Sequence, residues 1–141
     1  MTDFSPAIFG LQGPTLSDEE AAFFDAVCPW GIILFARNIE SREQLRALTN
    51  ELRNKSGNSH LPILIDQEGG RVARLRPPLV SAYPPMGLYG EMYEQDRAAA
   101  IEAARLGAAL LALDLFELGI SINSAPCLDL RGPEMADVIG D

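Results

Sequence analysis

The chain has 141 residues, 48% of them hydrophobic, which is enough apolar material for one domain with its own core. A formal charge of −9 and a pI near 4.5 exclude nucleic acid and anionic membranes as expected partners. Met1 to Pro6 lacks a basic n-region and a long apolar h-region, and the greasiest stretch, Ala108 to Leu118, is interrupted by Asp114 and Glu117. The expectation is a soluble cytoplasmic protein without export signal or membrane span.

Strand and helix patterns then alternate. Pro6 to Leu11 is a short apolar strand, and Ser17-Asp18-Glu19-Glu20 opens a helix: Ser17 and Glu20 fit a capping box, and the acids favour the positive helix start. That helix should run to about Cys28. Gly31 to Ala36 is a second strand. Ser41-Arg42-Glu43-Gln44 repeats the capping-box logic, and Leu45, Leu48 and Leu52 form an apolar stripe at helical spacing before the polar turn from Asn54 to Ser59. Leu61 to Ile65 is the third strand. From Gln67 to about Tyr93 there is no clear periodicity, and the proline pairs Pro77-Pro78 and Pro84-Pro85 predict a long functional loop. A long Ala/Leu helix follows from about Gln95 to Leu118, ending at Gly119 as a C′ residue, and Ile120 to Leu130 supplies the fourth strand. About four βα units with no linker or repeat predict one parallel α/β domain over residues 1–141. Eight such units close a (β/α)8 TIM-type barrel of typically ~250 residues, so the expected architecture is the N-terminal half of one.

Cys28 and Cys127 have no C-x-x-C spacing, and with the single His60 they make no convincing zinc site. Buried free thiols are expected.

The chemistry concentrates in Leu61-Pro62-Ile63-Leu64-Ile65-Asp66-Gln67-Glu68-Gly69-Gly70-Arg71-Val72-Ala73-Arg74, an apolar run that stops at two carboxylates, two glycines and two arginines. Consecutive apolar positions imply a strand covered on both faces, and the loop at the carboxyl end of such a strand is where parallel α/β folds carry function. Gln12, Arg37, Asn38, Asp66, Gln67, Glu68 and Asp129 all fall at or just past strand ends on that face, whereas His60 precedes its strand and belongs to the opposite one. A carboxylate after a buried strand is often only a cap or turn former, and Arg71 is read as structural. Asp66 and Glu68, two apart, could point the same way from extended backbone and imitate the carboxyl pair of a retaining glycosidase.

The stretch from Ile65 to Leu75, with Gly31 to Asn38 upstream and Ala125 to Leu130 downstream, resembles the N-terminal half of a β-N-acetylhexosaminidase of glycoside hydrolase family 3, single-domain bacterial branch. That branch carries a D-Q-E-G-G-R-V-x-R signature, and Val138-Ile139-Gly140-Asp141 is similar to a further family segment. The resemblance implies a (β/α)8 barrel with its site at the carboxyl ends of the strands. It also implies that Asp66 and Arg74 bind hydroxyls of an N-acetylglucosamine ring, with Asn38, Glu68 and Asp129 lining the site. Glu68 is expected to pair with Arg71 or Arg74 and fix the turn, not to perform chemistry. The family's nucleophilic Asp and its His acid/base have no matching motif before Asp141, so no catalytic residue is assigned within this chain. The implied partners are a small muropeptide carbohydrate substrate and a missing C-terminal half of the barrel. The implied activity is removal of terminal β-linked N-acetylglucosamine in cell-wall recycling. Two other readings stay open: a truncated, noncatalytic protein with a partial sugar-binding surface, and an unrelated half-barrel enzyme using Asp66 and Glu68 or a carboxylate-held metal.

Overall fold

Strands and helices alternate in a computed structural model of the protein, which describes residues 4–128. β1 (Ser5–Gly10) leads into α1 (Asp18–Val27), and β2 (Pro29–Leu34) into a 3-10 turn (Ala36–Asn38) and α2 (Arg42–Ser56). β3 (Ile63–Ile65) runs into a small ribbon made of β4 (Gln67–Gly69) and β5 (Val72–Ala73). After these come α3 (Met86–Gln95), α4 (Arg97–Glu117) and β6 (Ile122–Asn123). β1, β2, β3 and β6 form one parallel sheet in that order, with Ile32 opposite Ile63 and Leu64 opposite Ile122. The α/β class and the parallel sheet are those expected from the sequence.

Position in the sheet explains the burial of each strand. β1 has one described neighbour and alternates half-buried with exposed residues, while the central strands contribute Ile32, Leu34, Ile63 and Ile65 at 0% exposure. Leu45, Leu48 and Leu52 of α2 are buried as their spacing predicted, and Leu111, Leu115 and Leu118 complete the core beside them.

α2 also finishes α4. The last turn of α4 holds no basic residue of its own. Its terminal carbonyls accept instead from α2: Arg46 Nε donates to Glu117 O at 2.6 Å, Thr49 Oγ1 to Leu118 O at 3.0 Å, and Arg53 Nη2 to Gly119 O at 2.7 Å.

The caps follow the sequence with one exception. Ser17 and Glu20 form the complete capping box. Ser41 accepts from Gln44 N, but the Gln44 side chain caps the N–H of Glu40, one residue early, because its Nε2 is drawn to the carbonyls of Pro14 and Asn38.

Three expectations need correction. The segment after Gln67 is not all loop: it contains the β4–β5 ribbon and α3, and Asp96 separates α3 from α4 as the N-cap of the latter. Two glycines and the absence of any buried residue hide α3 from sequence patterning; it is held where Tyr89 lies on Gly107 of α4, a spot with no room for a Cβ. The fourth strand pairs only over Ile122–Asn123 among the described residues, because its one described neighbour, β3, is itself short. The thiols are not both buried: Cys28 is half-buried at the left-handed C-cap of α1, and Cys127 is exposed.

Gly119 has φ 77°, and a Cβ there would run into the Thr49 hydroxyl. Gly119→Ala should therefore cost ~1–3 kcal/mol in urea unfolding with an unchanged m-value. Glu20 supplies a pH test. Burial raises its carboxyl pKa, but the N–H groups of Ser17 and Gln12 and the Ser17 hydroxyl together hold it below the ordinary value. A depressed folded-state pKa adds stability above the unfolded-state value and loses it as pH falls through the folded one. The stability gap between the protein and Glu20→Gln should therefore be full at neutral pH and close on acidification below the ordinary glutamate range. A gap that widens in acid is the opposite of what this hydrogen-bonding pattern requires.

Candidate functional site

Asp66 sits where the buried strand β3 ends and the β4–β5 ribbon begins, and the residue that builds the ribbon is Gln67. Its side chain is 2% exposed. Gln67 Oε1 accepts from the N–H groups of Arg74 and Leu75 at 2.8 and 3.0 Å, and Nε2 donates to Leu75 O at 2.8 Å. The Gln67 backbone is held from the other side, where its N–H donates to Asn123 Oδ1 at 2.9 Å and its carbonyl accepts from Asn123 Nδ2 at 2.8 Å. The Asn123 amide thus continues the sheet by one rung beyond the β3–β6 pairing, in place of a backbone strand.

The ribbon reverses at Gly69 and Gly70, with φ of 98° and 55°, a region L side chains rarely occupy. Tyr83-Pro84-Pro85 lies directly against this turn. Gly70 N donates to Tyr83 O at 2.9 Å, and a Cβ on Gly69 would collide with the Pro84 carbonyl.

This construction returns Arg74 to Asp66. Arg74 Nη2 donates to Asp66 Oδ2 at 2.8 Å, with 30% and 25% of the two side chains exposed. Asp66 Oδ1 makes no hydrogen bond among the described residues, and Arg74 Nε is buried there without a partner. A partly exposed carboxylate with a spare acceptor, beside a partly exposed guanidinium, is suited to a polyhydroxylated ligand, whose hydroxyls both donate and accept.

The other candidates divide. Glu68 forms no ion pair with Arg71 or Arg74, a correction that follows from Asp66 already occupying Arg74. It borders a cavity of about 430 Å3 with Tyr83, Tyr89, Leu111 and Asn123, which Asp66 and Arg74 do not line. The two carboxylates therefore do not converge on that cavity. Asn38 does not line a site. It is 0% exposed, and its amide accepts from Phe35 N and donates to the carbonyls of Leu11 and Gly13, tying the loop after β1 to the loop after β2. Arg37 assists by donating to Leu11 O and resting its guanidinium on Phe35, and exposed Gln12 donates its N–H to Glu20. His60 is exposed, three residues before β3 begins at Ile63. Asp129 lies outside the described residues, as does the segment from Val138 to Asp141. Among the described residues no three His, Cys, Asp or Glu side chains gather as a metal site.

Sequence reading missed the roles of Gln67, Asn123 and the Tyr83–Asp114 hydrogen bond of 2.6 Å. Gln67 carried a signal: it is an uncharged residue between two carboxylates, just past a wholly buried strand. Asn123 and Asp114 carried none, because each acts across a long sequence separation.

The model of the glycosyl hydrolase family 3 N terminal domain matches residues 13–141. The chain belongs to glycosyl hydrolase family 3. A relative described as a beta-hexosaminidase, from Alkalilimnicola ehrlichii, is 39% identical over 96% of this chain and 38% of its own length. One of the same description from Aromatoleum aromaticum is 38% identical over 89% of this chain and 35% of its own. Among solved structures, NagZ from Neisseria gonorrhoeae in complex with N-trifluoroacetyl-D-glucosamine superposes with a TM-score of 0.84 at 33% identity, over 90% of this chain and 38% of that one. This family 3 chain thus spans little more than a third of the length of the relatives it matches.

In this family 3 domain Gln67→Ala should leave the buried N–H groups of Arg74 and Leu75 unpaired, at ~1–3 kcal/mol for each group that water cannot reach. Amide hydrogen exchange would report it: Arg74 and Leu75 should lose protection while Ile32, in the sheet centre, keeps it.

Proposed function

We propose that this chain carries part of the sugar-binding site of a retaining β-N-acetylhexosaminidase, which removes terminal β-linked N-acetylglucosamine from muropeptides during peptidoglycan recycling in the cytoplasm. The observation that carries the reading is the Asp66–Arg74 pair, held at the carboxyl end of a parallel strand by the Asp66-Gln67-Glu68-Gly69-Gly70-Arg71 string in a family 3 chain. Asp66 accepts from ring hydroxyls and Arg74 donates to them. The beta-hexosaminidase descriptions of its relatives support the choice of reaction. Among the described residues no helix is long and apolar enough to cross a membrane.

On this reading the nucleophile and the proton donor come from sequence beyond Asp141, from the C-terminal half of a barrel, and no residue of this chain performs the chemistry. Residues 1–141 form a partial domain. Neither metal nor organic cofactor is required. A second reading is a noncatalytic protein with a partial sugar-binding surface. One assay separates the two. Joined to the C-terminal part of a relative such as the Alkalilimnicola protein, residues 1–141 should release nitrophenol from a nitrophenyl N-acetyl-β-glucosaminide. Alone they should not. A folded joined protein without activity favours the noncatalytic reading, and activity from the 141 residues alone shows the catalytic residues to be misassigned.

In the active joined protein Asp66→Ala should lower kcat/KM by a factor equivalent to ~1.5–3 kcal/mol, since a sugar hydroxyl loses a charged acceptor. Glu68→Gln should still accumulate the covalent glycosyl intermediate with a fluorinated sugar. A folded Glu68→Gln variant that cannot be trapped would restore the two-carboxylate mechanism.

A further inference from the structure

The segment Tyr83-Pro84-Pro85 touches the glycine turn only with its backbone and proline rings, yet it has one polar anchor elsewhere. Tyr83 Oη donates to Asp114 Oδ2 at 2.6 Å, across 31 residues. Asp114 stands on α4 between Leu111 and Leu115, both packed into the core, so the acceptor is mounted on a fixed element. A phenol-to-carboxylate bond of this length is charge-assisted and stronger than a neutral one. From this anchor the chain passes over the turn, where the Tyr83 carbonyl takes the Gly70 N–H at 2.9 Å, the Pro84 carbonyl fills the space a Gly69 side chain would need, and Pro85 does the same at Gly70. The turn in its place fixes the β4–β5 register, Gln67 against Ala73 and Gly69 against Val72, and that register sets Arg74 opposite Asp66.

We infer that Tyr83 and Asp114 are a positioning pair: their hydrogen bond moors residues 83–85 to α4, and this strap clamps the glycine turn so that Asp66 and Arg74 keep the spacing a sugar ring requires. The inference rests on the reading of Asp66 and Arg74 as sugar-binding residues and adds two residues that do not touch the sugar. The strap is held at its other end as well. Arg42 Nη1 donates to Leu79 O at 2.6 Å, so the polypeptide between Leu79 and Tyr83 is fixed to α2 and α4 at once. Loss of the Tyr83 hydroxyl releases the end nearer the turn and leaves the aromatic ring to fill its space.

The test uses the joined protein described above, with N-acetylglucosamine as calorimetric probe and amide exchange as a second readout. Tyr83→Phe should weaken N-acetylglucosamine binding about 3- to 10-fold, the worth of one hydrogen bond, and speed exchange at Gly70 and Arg74 without affecting Ile32. Asp114→Ala should do the same, the double variant should be no worse than either single one, and Asp114→Asn, which keeps an acceptor oxygen, should recover most of the affinity. A contact with only a structural role would lower the melting temperature of Tyr83→Phe and leave affinity and Gly70 exchange as they were, which overturns the inference. Weaker binding with unchanged Gly70 exchange overturns it too, because Tyr83 would then act on the sugar directly. If the unsubstituted protein fails to bind N-acetylglucosamine, the sugar-site reading falls, and exchange at Gly70 and Arg74 in Tyr83→Phe still decides whether the strap positions the turn. Should Tyr83→Phe not fold, Asp114→Ala carries the same comparison.

Discussion

Everything at the carboxyl end of the sheet depends on one buried amide. Gln67 lies in a place water does not reach, so each of its polar groups must find a protein partner or cost the fold the full desolvation of that group. Its side chain takes Arg74 and Leu75, its backbone takes Asn123, and the result joins β3, the ribbon and β6 at a single residue. Asp66 and Arg74 inherit their geometry from it: the first is one residue before the amide, and the second is hydrogen-bonded to it through its own N–H.

What was legible in the sequence is what local physics decides. Leu45, Leu48 and Leu52 declared α2, Ser17 and Glu20 declared the start of α1, Gly119 declared the end of α4, and consecutive apolar residues up to Ile65 declared a strand covered on both faces. The glycine pair declared a tight turn. What was not legible depends on partners distant in sequence. Asn38 had the residue type and the strand-end position of a ligand-binding group, and only the nearness of the loop after β1 turned its amide inward. Asp114 interrupts an apolar helix, which looks like a flaw until Tyr83 arrives above it. The pairing assigned to Glu68 failed because the returning ribbon brings Arg74 to Asp66, at the end of β3.

The long helix α4 bears on how much structure surrounds this domain. Leu111 and Leu115 face the core, yet Leu110, Leu113 and Phe116 are 58, 61 and 79% exposed, so the helix is apolar nearly all round. A helix of that composition is one that buries more than one face. β6, beneath it, has β3 on one side and no described strand on the other. Both features support the reading of a chain that forms part of a larger α/β structure.

The arginines of α2 carry a consequence for biosynthesis. Arg46 and Glu117 are separated by 71 positions, and Thr49 and Leu118 by 69, so the acceptors that anchor the outer side of α2 emerge from the ribosome long after the helix that needs them. Until then five strands and three helices exist as a nascent chain whose most polar helix has its cationic side chains solvated and its leucine stripe only partly covered. Closing a loop of that length is entropically slow compared with forming either helix alone. The order of synthesis and the order of stabilisation are thus inverted: the N-terminal segment is made first, and α4, made late, is what gives it its final place.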